Sequence, residues 1–329
     1  MPLIINGLVI DEVPNDTNSL FDNYPHFKES SASLVSEAPK VISSVALLYV
    51  CQREYAIVTP HDKNISIVGT EDTTTCCTGV LRHSASGVVC LAHFDGSDLQ
   101  KLDKYIETMI KKIEEVNIGL GLTDGHLELH LIGGFNDSRR YSEDLVLQLL
   151  YAYHRQSVNI DLMTACVCKL NNSLRGTTNW PVIYGIGVNV KTGQFFPATF
   201  TDKGPDIPLR SARLYTGCHE MLDIYDTNMS LLRIGPFNYR PMRGVDLWLS
   251  QSDEPMRGVD LWLSQSDEFI LQHLSTSPEV EPPGFVDDAK ATLKFIQQHP
   301  FPGVTIFPDN RPRYYRKDDL TGQWVPICY

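Results

Sequence analysis

The chain is short of cationic side chains, and this limits its partners. Its 329 residues contain 28 Lys and Arg against 40 Asp and Glu, for a formal net charge of −12. Phosphate arrays and anionic headgroups both repel a chain of this charge. We therefore expect neither nucleic acid nor a membrane surface as a partner.

Long apolar runs and a basic leader are also lacking. No run approaches the ~18 apolar residues that a membrane helix needs. Asp11 and Glu12 stand where a signal peptide would have its apolar segment, and no basic residue precedes them. We therefore expect an intracellular protein in a compartment that keeps thiols reduced.

Motifs for nucleotide and zinc binding are absent from the sequence. Neither GxGxxG nor GxxxxGK[ST] occurs, so nothing supports a nucleotide cofactor. No CxxC pair occurs, and only one residue separates Cys166 from Cys168, whereas paired zinc ligands usually have about two to four residues between them. We therefore expect most cysteines to be small buried side chains. The eight cysteines are Cys51, Cys76, Cys77, Cys90, Cys166, Cys168, Cys218 and Cys328.

Short β-branched runs separated by turn residues predict many strands. The predicted strands cover residues 45–51, 54–59, 65–69, 74–83, 87–94, 126–134, 160–169, 182–190 and 194–201, with terminal strands around RYYRK and QWVPICY. The first 40 residues or so are rich in Ser, Pro, Asn and acids and have one apolar patch at 3–10.

Apolar residues at helical spacing predict helices between these strands. The predicted helices cover residues 99–116, 142–156, 259–274 and 286–298, and Ser142 is the expected N-cap of the second. Strands and helices mix without strict βαβ alternation, so we predict a layered α+β fold with mixed or antiparallel sheets.

One 14-residue segment, PMRGVDLWLSQSDE, occurs twice in tandem without a mismatch, at 241–254 and 255–268. Structural repeats need about three or more copies to build a core. We therefore interpret the pair as a recent duplication or a gene-model artefact, with one copy as a surplus loop or helix. We predict a single domain over 1–329, with a core at 44–240 and a C-terminal region at 258–329 packed on it.

Two adjacent cysteines, Cys76 and Cys77, raise the possibility of a nucleophile. A catalytic cysteine needs a base, usually His, and donors for an oxyanion. The predicted strands 74–83 and 87–94 are joined by a short turn and should pair as a hairpin. This pairing brings Cys76 toward His93, whereas His83 lies at the turn end.

Adjacent residues on a strand point to opposite faces. If Cys76 faces a cleft, Cys77 faces the core, and only one of the two thiols reacts. Backbone N–H groups around Thr75 and Cys76 are candidate oxyanion donors. Spacing alone leaves the alternative of a packed thiol open, because a cysteine near a histidine is more often structural than catalytic.

The block from Thr70 to Asp95 resembles the active-site region of bacterial chemoreceptor glutamine deamidases. Thr70 lies six residues before Cys76, and His93 lies seventeen after it in the context LAHF. Stretches from end to end resemble the family of protein N-terminal asparagine amidohydrolases more closely. They include ISIVGTEDTTTCC, HLIGGFND, PVIYGIGVNVKT, LRIGPFNY and LSTSPEVEPPGFV.

This resemblance implies an α-β-β sandwich of the cysteine-hydrolase type, which also includes the cytotoxic necrotizing factor toxins. It implies a triad of Cys76, His93 and Thr70, where the hydroxyl residue in the family is often Ser. Cys77 and the tandem repeat depart from the family pattern without touching the triad.

The resemblance also implies a reaction. An N-terminal asparagine of a protein or peptide is deamidated to aspartate through a Cys thioester, with release of ammonia and without a cofactor. The new terminus would then direct arginylation and ubiquitin-dependent degradation. We expect a monomer located in the cytoplasm and also in the nucleus.

Recognition of a free terminus needs a carboxylate for the α-ammonium, because burying an unpaired charge is costly. Asp95 is the first candidate, followed by Asp72 and Glu71, although all three could be solvated turn acids. Two other functions use the same residues. One is a cysteine protease or transglutaminase-like acyl transferase, and the other is a non-catalytic module that binds N-termini.

Overall fold

The chain combines α-helices with several β-sheets, which is the α+β class predicted from the sequence. The computed structural model describes residues 3–122, 124–239 and 255–327. The first copy of the repeat, 241–254, and Cys328 lie outside the described residues. In the part that is described, no helix is both long enough and apolar enough to cross a bilayer.

The largest sheet has eight strands and is mixed. From one edge to the other its strands are β15 (Leu222–Asp223), β5 (Glu54–Val58), β8 (Val89–Phe94), β7 (Cys77–His83), β9 (Leu127–Gly133), β10 (Ile160–Val167), β1 (Leu3–Ile5) and β2 (Leu8–Val9). The central strands β5, β8, β7 and β9 pair antiparallel, whereas β10 is parallel to both β9 and β1.

A second sheet has five strands. In order they are β3 (Lys40–Ile42), β14 (Phe195–Phe200), β13 (Ile186–Asn189), β6 (Ile67–Thr70) and β4 (Leu47–Tyr49). β13 pairs antiparallel with β14 and β6, and β4 runs parallel to β6. The sheet is therefore mixed as well.

Two smaller sheets complete the β structure. The four-stranded sheet contains β16 (Tyr225–Asp226), β17 (Leu231–Ile234), β18 (Arg313–Lys317) and β19 (Trp324–Pro326), and a hairpin contains β11 (Asn172–Arg175) and β12 (Thr178–Pro181). Because β17 pairs with β18, the predicted terminal strands join the end of the chain to its central part.

The α-helices surround these sheets. They are α1 (Thr17–Asn23), α2 (His26–Ser36), α3 (Leu102–Gly119), α4 (Tyr141–His154), α5 (Ile207–Ala212), α6 (Pro255–Leu263), α7 (Asp267–Leu274), α8 (Phe285–Gln298) and α9 (Pro302–Thr305).

The eight-stranded sheet carries apolar side chains on both faces. Leu81 belongs to a first core that also includes Ile106 of α3 and Leu149 of α4. Its neighbour Val80 belongs to a second core that also includes Val68 of the five-stranded sheet. Successive residues of a strand point to opposite faces, so this division follows from the pleat.

Some predicted boundaries were wrong. The first 40 residues contain two strands and two helices that we did not predict, and Asp16 caps α1 by accepting from Ser19 N at 2.7 Å. Ser142 is not the N-cap of α4. That helix begins one residue earlier, and the carboxylate of Asp137 accepts from the backbone N–H groups of Tyr141 and Ser142.

Two further predicted elements have different limits. The strand predicted at 74–83 begins only at Cys77, and in the segment before it Thr73 N donates to Tyr184 O at 2.9 Å. The helix predicted at 259–274 is divided into α6 and α7, because Ser266 starts a new helix by accepting from Phe269 N at 3.2 Å.

The second copy of the repeat forms α6 and the start of α7. Val259 and Trp262 of this copy are buried against Leu293 of α8 in a separate small core. Residues 255–268 are therefore part of a packed helical region.

Candidate active site

A hydrogen bond joins Thr70 of the five-stranded sheet to His93 of the eight-stranded sheet. Thr70 ends β6 and His93 lies near the end of β8, and both side chains are buried. Thr70 Oγ1 lies 2.7 Å from His93 Nδ1. His93 Nε2 has no hydrogen-bond partner within the described ranges. When Nδ1 carries the ring proton, Nε2 is therefore an unoccupied base.

Cys76 opens onto the same cavity as His93. It immediately precedes β7, which pairs with β8 so that Thr78 lies opposite His93. The predicted hairpin is thereby confirmed. His83 is at the turn end, where its Nδ1 lies 2.9 Å from Ser86 Oγ.

The two adjacent cysteines face in opposite directions, as predicted. Cys77 is fully buried in the first core, on the side of the helices. Cys76 lines the cavity and is 7% exposed. Only one of the two thiols is therefore placed where a substrate could meet it.

The Gly-Gly pair that ends β9 lets two backbones approach closely at Cys76. Gly133 has a φ of 127°, a conformation that other residues rarely adopt. A Cβ at this position would lie 2.8 Å from both Cys76 O and Thr73 Cγ2. A side chain at position 133 would collide with the segment that carries Cys76, so this position requires glycine.

Burial determines the protonation states of both groups. It raises the pKa of the Cys76 thiol well above its usual value, the charges of Asp95 and Glu281 raise it further, and Arg53 opposes them. Burial also lowers the pKa of His93 to about 4, although the nearby carboxylates oppose this shift. At neutral pH the free site therefore holds a neutral thiol and a neutral imidazole. Such a thiol becomes nucleophilic only by giving its proton to the base during attack.

Asp95 lies in the cavity wall but already has a cationic partner. Its Oδ2 is 2.6 Å from Arg53 Nε and 2.9 Å from Gln52 Nε2, and Oδ1 accepts from Ser97 N at 3.0 Å. The side chains of the ion pair are each 8% exposed. Burial raises the pKa of Asp95, but Arg53 and Ser97 together hold it below its usual value.

Asp72 and Glu71 share Lys203. The Nζ atom of Lys203 lies 2.5 Å from Asp72 Oδ2 and 3.1 Å from Glu71 Oε1. Glu71 also accepts from Phe200 N at 3.0 Å. The structure therefore brings all the predicted carboxylates to the cavity and pairs each of them with a cation.

Thr75 connects the segment before Cys76 to a distant loop. Its hydroxyl oxygen lies 2.7 Å from Thr276 Oγ1. The backbone N–H groups of Thr75 and Cys76 have no acceptor among the residues that the structure describes. Both groups therefore remain available as donors.

The cavity has a volume of about 1650 Å³, enough for the end of a peptide chain. Thr75, Cys76 and His93 all line it, and a thiol, a neutral imidazole and backbone N–H donors are the groups needed for nucleophilic attack on an acyl or amide carbon. Across the described ranges, no three His, Cys, Asp or Glu side chains are grouped to hold a metal ion.

Several residues of the site were not predicted from the sequence, among them Lys203, which pairs with Asp72 and Glu71. Arg53 pairs with Asp95, and Ser275 and Ser277 both donate to Glu281. The sequence pattern around Arg53 gives no sign of this role. The alternation of hydroxyl and acidic residues in STSPEVE is the one signal that could have drawn attention to Glu281.

Comparison with known proteins gives a consistent result. A family model described as protein N-terminal asparagine amidohydrolase matches residues 37–258 and 254–326, and the two segments overlap where one copy of the repeat ends and the other begins. The chain is 39% identical over 327 residues to the human protein N-terminal asparagine amidohydrolase, which covers 99% of this chain and 98% of the relative. The protein of that name from Sus scrofa is 38% identical with the same coverage, and the one from Arabidopsis thaliana is 26% identical over 97% of this chain and 92% of its own.

Proposed function

The chain belongs to the family of protein N-terminal asparagine amidohydrolases and is an amidohydrolase, and from this we propose that it converts an N-terminal asparagine of proteins and peptides to aspartate. Cys76 is the nucleophile, His93 is the general base and acid, and Thr70 orients the imidazole. The observation that carries the assignment is the 2.7 Å contact from Thr70 to His93 Nδ1, which leaves Nε2 without a partner among the described residues, at the cavity that Cys76 also lines.

The first half of the reaction forms a thioester. His93 Nε2 takes the proton of the Cys76 thiol as Sγ attacks the side-chain carboxamide carbon of the substrate asparagine. The carbonyl oxygen becomes an oxyanion, which accepts from the backbone N–H groups of Thr75 and Cys76. His93 then gives its proton to the amide nitrogen, the C–N bond breaks and ammonia leaves.

The second half releases the product. His93 takes a proton from water as the water oxygen attacks the thioester carbon. The C–S bond breaks, His93 returns its proton to Sγ, and the substrate now begins with aspartate. The sum is one asparagine and one water converted to one aspartate and one ammonia, with the enzyme unchanged.

The finer features of the fold are part of the proposal. We assign the chain to the α-β-β sandwich of the cysteine hydrolases, as one catalytic domain over 1–329 with a core at 44–240 and a C-terminal region at 258–329. The two cores on opposite faces of the eight-stranded sheet support the layering. The overlap of the matched segments supports one copy of the 241–268 repeat being surplus.

The biological setting rests on the family resemblance. We propose that the enzyme is a cytoplasmic and nuclear monomer that acts without a cofactor. Its product, an N-terminal aspartate, is a signal for arginylation and then for ubiquitin-dependent degradation.

Replacing Thr70 with valine should lower kcat about 10- to 100-fold and leave KM within about threefold. Valine keeps the shape of the side chain but removes the hydroxyl at His93 Nδ1, so the imidazole loses its fixed orientation. Steady-state ammonia release measures the effect. Thr70→Ser, which keeps the hydroxyl, should retain most of the activity. If Thr70→Ser loses as much activity as Thr70→Val, the hydroxyl alone does not account for the role of Thr70.

The proposed function is tested with two short peptides that differ only at the α-amine. One begins with a free asparagine and the other with α-acetylated asparagine. We expect ammonia release from the free-amine peptide alone, together with the mass change that replaces a side-chain amide by a carboxylic acid. No release from either peptide would refute the proposal.

The same experiment separates the other two functions. A protease would shorten the peptide, and an acyl transferase would join it to an added amine. A non-catalytic module would bind the free-amine peptide without changing its mass. Mass spectrometry of the reaction mixture distinguishes each of these from deamidation.

A further inference from the structure

The loop between α7 and α8 is fastened to the segment that carries Cys76. Thr276 Oγ1 lies 2.7 Å from the hydroxyl of Thr75, the residue next to Cys76. Farther along the loop, Tyr184 OH donates to Val280 O at 3.1 Å. Three residues of this segment, residues 275–281, which we call the 275–281 loop, line the same cavity as Cys76.

The carboxylate of Glu281 is held inside this loop. Ser275 and Ser277 both donate to its Oε1 atom, the second at 3.3 Å. These serines flank Thr276, the residue that contacts Thr75. The carboxylate is therefore fixed next to the contact that leads to Cys76, and the half-buried side chain lines the cavity.

Glu281 differs from the other half-buried or buried carboxylates of the cavity because no cation among the described residues pairs with it. Asp95 pairs with Arg53, and Glu71 pairs with Lys203. In the described part of the chain no ion pair involves Glu281. Burial raises its pKa, although the hydrogen bonds from Ser275 and Ser277 oppose this shift. A cationic ligand that binds here would form an ion pair with Glu281. Partial burial makes such a pair stronger than one in water.

The geometry of asparagine requires a counter-ion close to the nucleophile. Standard bond lengths place the α-nitrogen about 3–4 Å from the side-chain carbon that the thiol attacks. The ammonium therefore lies within a few bond lengths of Cys76 when the reacting atoms meet. Glu281 is within electrostatic reach of that point, because its charge raises the pKa of the Cys76 thiol.

We propose that Glu281 binds the α-ammonium of the substrate and thereby restricts the reaction to chain termini. The proposal rests on the proposed deamidase function and assigns its specificity to the 275–281 loop. Asp95 and Asp72, the candidates from the sequence, keep their partners Arg53 and Lys203 and shape the cavity wall.

The test measures binding with full-length protein in which Cys76→Ala prevents turnover. Two ligands are compared, an asparagine-initiated peptide and the same peptide with the α-amine replaced by hydrogen. In this background Glu281→Gln should weaken binding of the free-amine peptide about 100-fold and change binding of the deamino peptide less than about threefold. Calorimetric titration gives both dissociation constants.

Glu279→Gln is the matched control. Glu279 is on the same loop, is exposed and does not line the cavity, so its amide variant should bind both ligands as before. Asp95→Asn should affect both ligands to a similar degree, because it removes a partner of Arg53 and not of the substrate.

The selective loss at Glu281 is the result that supports the proposal. Equal weakening of both ligands by Glu281→Gln, or a selective loss in Asp95→Asn or Asp72→Asn instead, would overturn it. If Glu281→Gln does not fold by circular dichroism, Glu281→Asp withdraws the carboxylate by one methylene and should still weaken only the free-amine peptide, by about tenfold or more. An equal effect on both ligands would again overturn the proposal.

Failure of the proposed function has a different signature. In that case protein with Cys76 intact releases no ammonia from the asparagine peptide, either with Glu281 or with a substitution at that position. Turnover by the unmodified protein together with unselective Glu281 variants refutes only the role of Glu281.

Discussion

Replacing Cys76 with serine will lower kcat for ammonia release by about 10⁴-fold or more. Burial holds the thiol neutral in the free enzyme, so the proton must pass to His93 during attack. A serine hydroxyl is a much weaker acid than a thiol, and an imidazole with a pKa of about 4 is too weak a base to activate it. Single-turnover measurements with a saturating peptide separate this loss from any change in binding.

The neighbouring thiol provides the matched control. Cys77→Ala removes a sulfur from the first core on the opposite face of the sheet, so it should cost about 1 kcal/mol of stability and leave kcat within about threefold. If the Cys77 variant were inactive and the Cys76 variant active, Cys77 would be the nucleophile. That result would contradict the assignment.

Replacing Glu54 with glutamine will lower the free energy of unfolding by about 3–5 kcal/mol. Glu54 accepts from Arg210 at 2.6 Å, and the two side chains are only 2% and 1% exposed. The amide variant keeps the shape of the side chain but leaves the guanidinium charge buried without its counter-ion. Urea unfolding followed by circular dichroism measures the change.

An ion pair that is less deeply buried provides the comparison. Arg82 and Glu128 lie 2.9 Å apart with side-chain exposures of 24% and 21%, so Glu128→Gln should cost less than about 1 kcal/mol. Replacing both Glu54 and Arg210 with methionine should recover much of the lost stability, because no buried charge then remains. Similar losses in the Glu54 and Glu128 variants would show that burial does not decide the effect.

Local pattern was sufficient for the central hairpin. The short turn between two β-branched runs predicted that β7 and β8 pair, and the period of two in a strand predicted that Cys76 and Cys77 face apart. Both features depend only on residues close together in the chain. For the same reason the pattern selected His93 over His83 without knowledge of the rest of the fold.

Capping and element boundaries were predicted less well. Ser142 is a good N-cap by residue type, yet Asp137 five residues earlier takes that role because the intervening turn brings its carboxylate to the helix start. The N-terminal helices α1 and α2 were missed because polar residues dominate their sequences, and burial against the sheet rather than periodicity stabilises them.

The sequence by itself determined the acidic charge, the α+β class, the hairpin and the face on which Cys76 lies, because these depend on composition and on spacing within a few residues. Only the tertiary structure decided that Arg53 neutralises Asp95 and that Lys203 neutralises Asp72. It also placed Glu281, which follows Cys76 by some 200 positions in the chain, on the loop that contacts Thr75, the neighbour of Cys76. Charges pair according to distance in space, and no local pattern in a sequence encodes which distant segments meet at a cavity.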